Sequence, residues 1–152
     1  MRKQVSKKLI LRDWPAVQAW LQPQLQAWQV QTVSLDIFDT LLARIDTPEQ
    51  VQRSVCRKLA KRLDNAFKAE AIWTARQTTE QKLRQQAAAQ GLDYECRFSE
   101  LVPAWLEQLL GAPNPELVDF IIRTELELES LALYVNPEVI PFLQWLKRTN
   151  TR

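Results

Sequence analysis

The residues most suited to chemistry lie close together near the first quarter of the chain. Asp36 closes a hydrophobic run, and Asp39 and Thr40 follow three and four positions later. A carboxylate in that place has two ordinary uses. It can cap the turn that follows a strand, or it can face a ligand and act as a nucleophile that forms a covalent intermediate. Phe38, between the two acids, has no exchangeable proton and cannot serve as a general acid or base. The chain contains no histidine. That excludes Ser-His-Asp and Cys-His nucleophilic catalysis, histidine general bases and most zinc chemistry. Cys56 and Cys96 match no zinc-ligand spacing and read as buried or partly buried thiols of a reducing compartment.

The elements that must position these residues follow from periodicity. Val30–Phe38 is β-branched and aromatic, and Val33, Leu35 and Ile37 alternate with Ser34, Asp36 and Phe38. This predicts a strand that places Asp36 opposite its apolar face. Before it, Asp13-Trp14-Pro15 predicts a helix start. Trp14, Val17, Trp20 and Leu21 follow at helical spacing, and Pro23 is expected to kink or end that helix.

Everything after the strand reads as helix. Thr47-Pro48-Glu49-Gln50 is a capping-box opening, and Val51, Val55, Leu59 and Leu63 then form one apolar stripe. A long helix is expected from about residue 66 to 90, ending at Gly91. Further helices open at Ser99-Glu100, Asn114-Pro115 and Asn136-Pro137, the last with Ile140, Leu143 and Leu146 as its core side. A single strand among so many helices leaves two unpaired edges. It is expected to pair with a second copy or with another chain, or to find its partners beyond residue 152.

Composition bounds the rest. An apolar share of 46% in 152 residues supports one globular core, and only two glycines favour helices over turn-rich sheets. Residues 1–90 carry 15 Lys and Arg against 8 Asp and Glu, whereas residues 91–152 carry 5 against 10. This asymmetry reads as two differently solvated surfaces. The stripe of Arg53, Arg57 and Lys61 could meet a polyanion but reads first as the wet side of an amphipathic helix. Glu125, Glu127 and Glu129 read as a solvated face, because alternate helical positions diverge; only Glu125 and Glu129 share a side. The six tryptophans fall at apolar helical positions and read as core. No stretch approaches a membrane span, and the basic start has too short an apolar run for a signal peptide. A cytoplasmic protein is expected.

The segment Ser34-Leu35-Asp36-Ile37-Phe38-Asp39-Thr40-Leu41-Leu42 closely resembles the first motif of the haloacid dehalogenase (HAD) superfamily. It is most similar to a group of bacterial members reading Phe-Asp-Ile-Phe-Asp-Thr-Leu-Leu, often linked to sugar-transfer enzymes of surface polysaccharides. The resemblance implies that Asp36 is the nucleophile of a phosphoester or related hydrolysis. It also implies that the second oxygen of Asp36 and the Phe38 carbonyl hold Mg²⁺, and that Thr40 fixes the turn. Family phosphatases place a second Asp where this chain has Phe38, so a two-aspartate mechanism is not implied. Asp39 stands where the wider family usually has glycine; it is a candidate carboxylate near the metal or a turn cap.

In the family a helical cap is inserted directly after the first strand. The resemblance therefore implies a mostly α chain, a helical cap-type bundle with a single β-strand from a truncated Rossmann-like core. Residues 1–44 would be the amino-terminal helix and motif strand, 45–135 the cap, and 136–152 the start of the return to the core. The phosphoryl-binding Ser or Thr, the Lys and the last acids would lie beyond residue 152. The chain is thus expected to be inactive alone, with a phosphorylated small molecule as substrate of the intact form. Neither membrane nor nucleic acid is expected as a partner, and self-association through the unpaired strand is. The reading kept beside it is a non-catalytic helical module that binds a protein or a polyanion.

Overall fold

The computed structural model describes residues 13–28, 30 and 32–149. It is mostly α-helical: α1 (Trp14–Ala27), β1 (Leu42–Arg44), α2 (Pro48–Arg62), α3 (Ala69–Ala89), α4 (Phe98–Leu110), α5 (Pro115–Ala132), β2 (Leu133–Val135) and α6 (Val139–Arg148). The chain divides into two compact units, one formed by Met1–Ala43 with Tyr134–Arg152, the other by Arg44–Leu133.

The helix starts follow the capping chemistry. Asp13 accepts from the Ala16 N–H at 2.7 Å. Thr47 and Gln50 exchange reciprocal bonds, with the Gln50 side chain at 2.7 Å from the Thr47 N–H. Asn114 accepts from the Leu117 N–H at 3.1 Å. Each occupies one of the orphan donors that a helix amino terminus exposes. Gly111 closes α4 at φ 77°, a left-handed conformation that costs glycine nothing.

The helical unit buries Val55, Leu59, Ile72, Leu101, Val102, Trp105, Leu106 and Ile121 as a common core of α2 to α5. Trp105 is fully buried, and its indole N–H donates to the Ile72 carbonyl at 3.2 Å, so its one polar atom is satisfied. Of the six tryptophans, Trp73 and Trp105 are buried, whereas Trp20 and Trp28 are exposed at 43% and 68%.

The other unit is built around Val139, Phe142 and Leu146 of α6. Trp14, Val17, Leu21 and Leu25 of α1 and Val33, Leu35 and Leu41 pack against them. Pro23 does not end α1, which continues to Ala27. The proline removes the single bond to the Ala19 carbonyl, and Ala19 lies on the exposed side of the helix. The core side of α6 also differs from expectation: Ile140 and Leu143 are 42% and 38% exposed. Val139, Phe142 and Leu146 form an equally good helical stripe, and the Trp14 ring, 4.9 Å from Phe142, selects it.

The strands lie elsewhere than the alternation predicts. Residues 32–36 belong to no strand among the described residues. The sheet is instead the short pair β1 and β2. It runs antiparallel, with the Ile45 N–H donating to Ala132 at 2.8 Å at one end and the Asn136 N–H to Leu41 at 3.0 Å at the other. Alternation in residues 32–36 records burial, not pairing. Val33 and Leu35 are half-buried, while Thr32, Ser34 and Asp36 are exposed. An extended segment packed by one face on helices produces the period of two without a ladder.

Candidate functional site

Asp36 sits at the outward-facing end of that extended segment, where the chain enters a tight turn. The Ile37 carbonyl accepts from both the Leu41 N–H at 2.9 Å and the Leu42 N–H at 2.8 Å, which closes the turn over residues 37–42. Ile37 and Phe38 are about half exposed. The Thr40 side chain is half-buried. Leu35 before the turn and Leu41 within it anchor both ends on the Val139–Phe142–Leu146 cluster. The four residues singled out by sequence, Asp36, Phe38, Asp39 and Thr40, therefore share one exposed turn.

Asp39 adopts φ 57°. Left-handed backbone is natural for glycine and costs most other residues, with Asp and Asn the best tolerated of these. The geometry accounts for the residue type: the turn requires a left-handed position here, and Asp39 fills it.

A residue far away in sequence holds the end of the turn. Asn136, between β2 and α6, donates from its backbone N–H to the Leu41 carbonyl at 3.0 Å. Its Nδ2 donates to the Thr40 carbonyl at 3.4 Å, and its Oδ1 accepts from the Glu138 N–H at 3.1 Å. In the sequence Asn136 stands out only as a residue that opens a helix with Pro137. Its contact with the turn has no local signal, since the partners are 96 positions apart.

The Asp36 carboxylate and the Phe38 carbonyl are hard oxygen donors, and Mg²⁺ characteristically takes one or two carboxylates and keeps several waters. The donors fit such an ion in kind. In number they fall short of a closed site: among the described residues no group of three or more His, Cys, Asp or Glu is placed to hold a metal.

Several of the remaining charged candidates are drawn into structural pairs. Glu125 is buried, not solvated, because Arg76 of α3 reaches it with two bonds of 2.6 and 2.7 Å. Glu129 accepts from Arg44 at 2.9 Å. Glu127 lines an open groove of about 540 Å³ with Arg62, Glu116, Asp119, Phe120, Arg123 and Thr124. In the basic stripe of α2, Arg53 is bound to both Glu49 and Glu70 at 2.8 Å, which interrupts the row of free cations. Cys56 is buried and Cys96 half-buried, both as free thiols. Burial pushes the Cys56 thiol up to about 11, so it stays protonated and unreactive at neutral pH. No helix among the described residues is long and apolar enough to cross a membrane.

No family model, no curated protein and no solved structure matches the chain.

Proposed function

We propose that Asp36 occupies the nucleophile position of a HAD-type hydrolase acting in the cytoplasm on a phosphorylated small molecule. The observation that carries this reading is the placement of Asp36. It stands at the exposed end of an inward-packed apolar segment, and a turn with a left-handed third residue follows. The separate helical unit Arg44–Leu133 is inserted immediately after that turn. This is the order in which a capped hydrolase presents its nucleophile.

In the chemistry proposed, a carboxylate oxygen of Asp36 attacks phosphorus, the leaving-group oxygen departs, and water then hydrolyses the aspartyl phosphate. Phe38 supplies no proton to the leaving group, so that proton comes from solvent or from a group outside the turn. Mg²⁺ would be held by the Asp36 carboxylate and the Phe38 carbonyl and would neutralise phosphate charge. The turn alone does not complete a phosphoryl pocket, and the chain by itself is proposed to be inactive. Residues that act as a unit lose nearly all their effect when separated.

Titration of the chain with Mg²⁺, followed by NMR, tests the reading. Saturable shifts confined to the amides of residues 36–41, abolished in Asp36→Asn, support it. Shifts confined to the acidic residues of α5, or none at all, remove it.

A further inference from the structure

We propose that Asn136 is a positioning residue that clamps the carboxyl end of the Asp36 turn through its side-chain donor. The inference builds on the reading of Asp36 as a functional carboxylate. The turn is closed by the Leu41 and Leu42 bonds to the Ile37 carbonyl and by a bridge between Phe38 and Leu42, and it carries a left-handed aspartate. Bonds from outside such a turn hold its conformation more firmly. Asn136 supplies such bonds at two consecutive carbonyls, Thr40 through Nδ2 and Leu41 through the backbone N–H. The segment that re-enters the unit after β2 thereby holds the turn that precedes β1. A displacement of Thr40 and Leu41 is transmitted through the Ile37 carbonyl to the neighbouring Asp36.

The same side chain also binds the Glu138 N–H through Oδ1. Two roles are thus available, shaping the turn that leads into α6 and clamping the Asp36 turn, and they use opposite ends of the amide. Asn136→Asp separates them. The carboxylate keeps the acceptor for Glu138, loses the donor to Thr40 and places an acceptor against an acceptor. Asn136→Ala loses both and retains only the backbone bond to Leu41.

Amide hydrogen exchange by NMR on the full chain decides between the roles. The clamp predicts that Leu41 and Leu42 exchange about threefold to tenfold faster in both variants, the range of one modest hydrogen bond. It also predicts that the amides of Phe142 to Leu146 in α6 keep wild-type rates in Asn136→Asp. Wild-type exchange at Leu41 and Leu42 in Asn136→Asp overturns the proposal. So does equal acceleration of α1, α6 and the turn in that variant, because the residue would then hold the unit and not the turn. The exchange pattern involves neither metal nor substrate. Failure of the Mg²⁺ titration therefore defeats the reading of Asp36 and leaves the clamp standing, whereas wild-type exchange in Asn136→Asp defeats the clamp alone.

Discussion

Arg76 of α3 and Glu125 of α5 are joined by two parallel hydrogen bonds of 2.6 and 2.7 Å, with Arg76 only 2% exposed. The guanidinium also lies 5.4 Å from the Trp105 ring centre and 5.9 Å from that of Phe98. A fork of this kind is strong because both ions are desolvated together, and its loss is costly for the same reason. Arg76→Met or Glu125→Gln alone is expected to destabilise the helical unit by about 3–5 kcal/mol, since each strands a partner in the core. The double variant Arg76→Met with Glu125→Leu should recover most of that loss. Urea unfolding midpoints measure both; additive losses in the double variant would contradict the pairing.

The opening of α2 offers a smaller test. Thr47 and Gln50 are exposed, so their reciprocal bonds contribute capping without packing. Thr47→Ala should cost about 1 kcal/mol. Thr47→Ser, which keeps the hydroxyl, should cost much less, as read by thermal unfolding.

Backbone conformation governs Asp39. At φ 57° a glycine is free and a β-branched residue is strained. Asp39→Val should cost about 1–2 kcal/mol, while Asp39→Gly should stay within about 0.5 kcal/mol of the parent. Equal effects of the two would mean that the carboxylate, and not the turn, sets the residue at this position.

Alkaline stability should report on Cys56. Burial raises its thiol from 9.0 to about 11 in the folded chain. Below about pH 9 both states hold the proton and stability is unaffected. Between the two values the unfolded chain releases its proton and the folded chain does not, so stability falls as pH rises through 9 to 11. The loss is at most about 2–3 kcal/mol. Cys56→Ala should flatten this limb when unfolding midpoints are compared at pH 8 and 10.5. A thiol reagent should modify half-buried Cys96 in the native chain and Cys56 only on unfolding.

The mostly helical class was legible because its signals are local. Cap, proline and apolar stripe stand within a few residues of one another at Asp13, Thr47 and Asn114. Features that depend on distant partners were not legible. The alternation of Val33 and Leu35 could not distinguish a paired strand from a segment lying on helices. Two stripes on α6 were equally apolar, and only the placement of Trp14 chose between them. Glu125 looked solvated because Arg76 is 49 positions away. At the candidate site, the motif identified Asp36, Phe38, Asp39 and Thr40, and nothing in it pointed to Asn136.

The proposed function requires that Asp36 become phosphorylated. It is tested most directly by acid-quench trapping and peptide mass spectrometry with a generic phosphomonoester and Mg²⁺. The chain would be used together with a polypeptide that supplies the remaining phosphoryl-binding groups, fused or in trans. The phosphate adduct is expected on the peptide containing Asp36, and both adduct and hydrolysis should vanish in Asp36→Asn. An adduct on another residue, or hydrolysis that survives Asp36→Asn, would overturn the proposal.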